Sequence, residues 1–149
     1  MQSTIKKFGF YATISGGLLF LVSLLFLEKL SLGTSEVLGY ATILIALSFV
    51  FFGIKHYRDK ENDGLVSFGK ALTIGILISL LAAVAFAIID YLYTAVINPD
   101  FIAEYVERTG ETEYADASSL FLAFFMFATV FIIGFIISLL SALILQRKN

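Results

Sequence analysis

The sequence predicts an all-α polytopic membrane protein, with four transmembrane helices in an up-down bundle and a short amphipathic helix before the last of them. Three observations lead there. Four runs carry no charged residue: 8–27, 37–54, 71–89 and 120–145, or 20, 18, 19 and 26 residues. Each reaches the roughly 17–25 residues with which a helix crosses a ~30 Å hydrocarbon layer. The composition is 59% hydrophobic and only 15% charged, with a mean hydropathy of +0.93. Soluble domains are about 45–50% apolar and about 25% charged, and a chain of 149 residues has too little interior to bury the excess. Finally, the single proline, Pro99, lies outside all four runs, and no run alternates polar and apolar residues as a barrel strand does.

The first span is read as residues 8–27. Lys6 and Lys7 imitate the start of a signal peptide. The apolar stretch exceeds the usual 7–15 residues, though, and no A-x-A-like site follows, so the span is read as uncleaved. "EKLSLGTSE" (28–36) forms the hairpin, with Thr34 or Ser35 as N-cap of the second span, 37–54. A charged island, residues 55–67, separates it from the third span, 68–92, for which Ser67 is the expected N-cap.

Residues 98–117 form the next polar segment. Asn98 and Pro99 read as N-cap and first helical position. Phe101, Ile102, Tyr105 and Val106 share one face of a helix of about 99–109, opposite Asp100, Glu104, Glu107 and Arg108, and Gly110 suits its C-cap. Such a helix lies flat on a membrane or folds over the bundle mouth. Asp116 or Ser118 caps the fourth span, 120–145, and residues 1–149 form one membrane domain without a convincing repeat.

Four spans place both termini and the 55–67 island on one side. That side holds Lys6, Lys7, Lys55, Arg58, Lys60, Lys70, Arg147 and Lys148; the other holds Lys29 and Arg108. Positive charge concentrates in the cytoplasm, so the termini and the island are expected there. Acids collect opposite: Glu28, Glu36, Asp100, Glu104, Glu107, Glu111, Glu113 and Asp116.

Small residues recur every four positions at Ala71, Gly75, Ser79, Ala83 and Ala87, and again at Gly134, Ser138 and Ala142. In lipid, such stripes let helix backbones approach closely, within one chain or across a homo-oligomer or another membrane partner. Few residues carry chemistry. The absence of cysteine removes disulfides, thiolate metal sites and cysteine catalysis. No block of like positive charge suggests nucleic acid. His56 stands alone, a poor metal site. "DKENDG" (59–64) opens like a calcium loop, but Lys70 stands where the closing Glu belongs, and a turn at Asp63-Gly64 accounts for the letters. No cofactor is expected.

Two candidates remain. Lys55, Tyr57, Arg58 and Asp59 form either a partner-docking face or, through an Arg58–Asp59 pair, a device that fixes the loop. Asp90 is the only acid in or near a span. Beside Tyr91 and Tyr93 it reads as interfacial; the alternative is a proton or cation site in the bundle interior.

"GYATILIALSFVFFGIKHYRD", "GLVSFGKALTIGILIS", "NPDF" and "GFIISLLSALILQRK", in this order and spacing, resemble a group of small bacterial membrane proteins known as domain of unknown function 4199. The resemblance rests on Gly39-Tyr40, Phe52 to Lys55, Tyr57 to Asp59, Gly64 and Ser67 to Ala71, and covers nearly the whole chain. That family often has a Glu and a Pro before the Gly of its last helix; Thr129 and Ile132 stand there in this chain. The resemblance implies a four-helix protein of the bacterial inner membrane and no particular activity. From the residues, a non-enzymatic subunit, assembly factor or scaffold is expected, with a small transporter or channel using Asp90 as the alternative.

Overall fold

The computed structural model describes the backbone of residues 1–149 and every side chain except that of Glu28, whose place among the acids lies outside the described residues. Five α-helices follow one another: α1 (Gln2–Leu25), α2 (Leu32–His56), α3 (Phe68–Leu92), α4 (Phe101–Thr109) and α5 (Ser119–Leu145). Four of them, all but α4, are long and apolar enough to cross a membrane.

The elements extend further than charge-free runs suggest. α1 starts at Gln2, so Lys6 and Lys7 sit on its first turns. α2 and α3 each continue into a π-turn, at Tyr57–Glu61 and Tyr93–Ile97. Hydropathy marks where apolar side chains stop, whereas a helix goes on until its backbone hydrogen bonds find another partner.

Caps supply those partners. Ser67 accepts from the Lys70 amide at 3.3 Å and Ser118 from the Phe121 amide at 3.1 Å. Ser31, rather than Thr34 or Ser35, caps α2, accepting from the Thr34 amide at 3.3 Å. α4 starts at Phe101 rather than Pro99. Asn98 sends its side-chain amide to Glu104 at 3.0 Å, and Asp100 holds the N-cap position without a side-chain bond. Gly110 ends α4 at φ 72°, a left-handed conformation that costs a glycine little.

α3 is the hub, packing against α1, α2 and α5. α2 also touches α1 and α5, while α1 and α5 lie on opposite flanks without extended contact. The neighbours Gly9–Leu81 and Gly17–Ile89 show α1 and α3 running in the same direction. Gly75–Ser138 and Gly134–Ser79 show α5 running against α3. Both chain ends and residues 55–67 thus share one end of the bundle, called the basic end below.

Small residues set the spacing of α3 and α5. A Cβ on Gly75 would stand 2.7 Å from the Ser138 side chain; one on Gly134 would stand 2.5 Å from Ser79 Cβ. Ser138 donates its hydroxyl to the Gly134 carbonyl at 2.6 Å. Its oxygen therefore accepts in the 3.3 Å contact with Ser79, and Ser79 donates. Ala71, Ser79, Ala83, Ser138 and Ala142 are buried, whereas Ala87 is half-buried. Across the bundle, a Cβ on Gly16 would meet Ala46 at 2.5 Å and the Phe86 ring at 2.8 Å. Phe86, fully buried, lies 4.9 Å from the Phe20 ring. Gly16 thus admits the largest enclosed side chain of the core.

Overpacking a filled interior costs about 1–3 kcal/mol, and an interhelical hydrogen bond in a membrane averages about 0.6 kcal/mol. Gly75→Ala and Gly134→Ala are therefore expected to lower stability by about 1–3 kcal/mol, and Ser79→Ala by less than either. Gly39→Ala, with open space around it, should change little. Unfolding in mixed micelles titrated with SDS measures all four. Equal losses at Gly39 and Gly134 would show that close approach is not what holds α3 to α5.

Candidate functional site

The basic end gathers the residues singled out in the island. The π-turn Tyr57–Glu61 carries α2 beyond its apolar part, and its geometry turns Tyr57 and Arg58 inward. Tyr57 joins the core at 7% exposure, and Arg58 is 8% exposed. A buried guanidinium requires partners for its donors. Arg58 donates Nε to Asp59 Oδ1 at 2.6 Å and Nη2 to Asp59 Oδ2 at 3.1 Å, a two-pronged pair between chain neighbours. Its Nη1 donates to the Leu145 carbonyl at 3.3 Å.

Leu145 ends α5, where unpaired carbonyls concentrate the negative pole of the helix. Arg58 therefore fastens α2 to the C-terminus of α5. Just past that point, Val66 and Arg147 exchange backbone hydrogen bonds of 3.0 and 2.8 Å, tying the chain after α5 to the entrance of α3. The turn between is made by Asp63 and Gly64, at φ 53° and 79°.

Glu61 ties in α1. It accepts the Thr4 hydroxyl and the Met1 amine, the latter at 2.8 Å, and His56 Nε2 lies 3.9 Å away. Thr4 is fully buried. The His56 ring packs 5.2 Å from Phe8. One polar network thus joins the basic ends of α1, α2 and α5 to the loop before α3.

These groups lie beyond the apolar stretch of α2, and their charges reinforce one another. Hydrogen bonds from Arg58, with the charges of Lys55 and Arg147, hold the Asp59 carboxyl below the usual carboxylate range. Its hydrogen bonds in turn raise the Arg58 guanidinium above its ordinary value, against the effect of burial. Bonds from the Met1 amine and then Thr4 lower Glu61. Lys55 itself is exposed.

The opposite end holds Asp90. It is 7% exposed and lies one turn beyond Phe86, largely covered by protein, with its carboxylate oxygens still reaching the surface. The sequence could not show this, because the helical face decides it and Tyr91, the next residue, points outward. The buried Thr94 hydroxyl donates to the Asp90 backbone carbonyl at 2.9 Å. Among the described residues, no hydrogen bond or ion pair reaches the Asp90 carboxylate.

α4 folds back over this end. Tyr93 meets Phe101 edge-on at 5.6 Å, and Arg108 donates to the carbonyls of Leu27 at 3.5 Å and Leu30 at 2.9 Å. The strap thereby reaches the α1–α2 hairpin. A separate apolar crevice of about 390 Å³ opens between α3 and α5, lined by Ala87, Tyr91, Ala123 and Phe124 among others. Asp90 is not in its wall. Among the described residues, no three His, Asp or Glu side chains converge as metal ligands would.

The sequence model of the family described as "Protein of unknown function (DUF4199)" matches residues 7–147. The chain belongs to this family. No curated protein and no solved structure matches it. As a member of DUF4199, it joins that family's sequence pattern to a bundle whose ends are held by polar networks. Within the loop motif, Tyr57 is core, Arg58 and Asp59 are joined to each other, and Lys55 alone points freely outward.

Sequence reasoning passed over Thr4, Glu61 and Arg108 as tie points. Thr4 and Glu61 are 57 residues apart, and no local pattern relates them. Arg108 was legible as part of the polar face of α4, but its carbonyl partners were not.

If Arg58 and Asp59 act as a unit, Arg58→Gln and Asp59→Asn each lower the melting temperature in detergent, and the double variant melts close to the worse single one. Additive losses would separate the two residues.

Proposed function

We propose that this DUF4199 protein is a multi-pass protein of a bacterial inner, cytoplasmic membrane. Both termini and the 55–67 loop face the cytoplasm. It acts without catalysis, through contacts, as a subunit, assembly factor or scaffold. The observation that carries this reading is the exposure of α5. Only 17% of its most apolar stretch is buried, against 39–44% in the other three long helices. Its outward face, including Phe124, Phe125, Ile132, Ile136 and Ile144, is exposed. Burial of apolar surface from lipid supplies little drive, so the support is geometric. α5 is the long helix least covered by its own chain and leaves the most surface free for a second membrane helix. The orientation is supported by eight Lys and Arg at the basic end against two at the other.

The loop motif fits this reading as a fixing device. Arg58 and Asp59 are engaged with each other and with α5. They keep α5 in place, and α5 presents the contact face.

Photo-crosslinking residues at Phe124 and Ile136 on α5, and at Leu18 on the exposed face of α1 as reference, test this in native membranes. The α5 positions should yield protein adducts, and Leu18 mainly lipid. Lipid adducts alone at all three positions would overturn the docking role. Reporter fusions at Lys60 and Thr112 should report cytoplasm and exterior respectively, and the reverse would overturn the orientation.

A second reading, a small transporter or channel using Asp90 as its proton or cation site, is favoured by a largely covered residue whose carboxylate has no partner among the described residues and keeps access to the surface. An intramembrane acid is costly to retain for packing alone. On this reading, proteoliposomes pass protons or monovalent cations faster than empty vesicles, and Asp90→Asn abolishes the difference. Flux equal to that of empty vesicles would remove the reading.

A further inference from the structure

The Arg58–Asp59 pair leaves an imbalance at the basic end. Arg58, three residues after Lys55, donates to the carbonyl of Leu145, two residues before Arg147, which brings Lys55 and Arg147 to the same corner, and all three cations act on the Asp59 carboxylate. Both Asp59 oxygens are taken by the Arg58 fork at 2.6 and 3.1 Å. Lys55 and Arg147 are exposed, and among the described residues neither has a carboxylate within ion-pair distance. Two outward cations therefore flank one spent acid.

Their backbones are held in place. Lys55 rides the last turn of α2, and Arg147 is pinned to Val66 by hydrogen bonds of 3.0 and 2.8 Å. α2 and α5 pack together. Phe52, 51% exposed, lies one turn before Lys55 on α2, and Ile144, 71% exposed, is next to last on α5, just before the segment that carries Arg147. Phe52 and Lys55, three apart on one helix, share a face.

We propose that the α2–α5 corner of the basic end binds an anionic phospholipid, its phosphate between Lys55 and Arg147 and its acyl chains along Phe52 and Ile144. The inference rests on the membrane reading above but not on a partner protein. A soluble anion would use the cations and leave the apolar side chains idle. A zwitterionic lipid would bring its own cation into a site already in positive excess. An anionic headgroup neutralises that excess, and its chains meet the exposed faces at the depth where headgroup gives way to hydrocarbon. Each cation near an anionic headgroup contributes on the order of a fivefold gain in binding.

The test titrates the detergent-purified full chain with short-chain phosphatidylglycerol, phosphatidylcholine and inorganic phosphate, reading occupancy by native mass spectrometry. Phosphatidylglycerol should bind at least about tenfold better than phosphatidylcholine, and Lys55→Gln with Arg147→Gln should weaken it about thirtyfold. Lys29→Gln, at the opposite end, should leave it unchanged. Equal binding of the two lipids, or wild-type affinity in the double variant, overturns the proposal. Phosphate displacing the lipid at equal concentration overturns the choice of a lipid over a free anion. Should the double variant lose its monodisperse elution, added salt carries the test on the wild-type chain. Phosphatidylglycerol binding must then weaken with salt, and salt-insensitive binding overturns the proposal.

Discussion

In hydrocarbon, one apolar helix gains little by leaving lipid for another apolar helix, so the bundle must be held by how closely backbones approach. The α3–α5 contact shows this constraint. Glycine on each helix faces serine on the other, and the space a Cβ would need is already filled. The serines keep their hydroxyls satisfied along one line, Ser79 to Ser138 to the Gly134 carbonyl. Nothing in that contact depends on water, and nothing in it leaves a polar group unpaired. The hub position of α3 follows from the same rule. It alone carries small residues toward α5 and a large ring, Phe86, toward the glycine of α1.

Close packing in the middle leaves the ends to be fixed by other means, and the two ends are fixed differently. At the basic end, a short-range pair sits inside a long-range network. Arg58 and Asp59 neighbour each other in sequence, yet the third donor of Arg58 reaches α5, 87 residues away. Glu61 does the same for α1 through Thr4. At the other end, a single arginine, Arg108, holds the α4 strap to two carbonyls of the hairpin. The first end is a clamp on three helices, the second a tether on one connection.

This division bears on function. The side chains singled out in the loop are largely consumed in holding the fold: Tyr57 in the core, and Arg58 and Asp59 in their pair. What remains open are surfaces, namely the long apolar face of α5, the crevice beside Tyr91 and the two exposed cations at the α2–α5 corner. Asp90 is the exception, a largely covered residue whose carboxylate is not consumed and keeps a narrow access to the surface. A protein built this way offers shape, charge and one narrowly accessible acid to its surroundings.

The sequence by itself determined the number of spans, the split of charge between the two ends and the cap at Ser67, and it narrowed the cap of α5 to Asp116 or Ser118. Each depends on local composition or on neighbours within a turn, and hydrocarbon thickness makes length decisive. It also marked the small-residue stripes, because a four-residue period survives in one dimension. Only the tertiary structure decided which helix each stripe meets, that Asp90 is largely covered, and that α4 folds back. It alone brought Thr4 to Glu61 and Arg58 to Leu145. Those facts turn on helix rotation and on groups dozens of residues apart, and neither length nor period encodes a rotation about the helix axis.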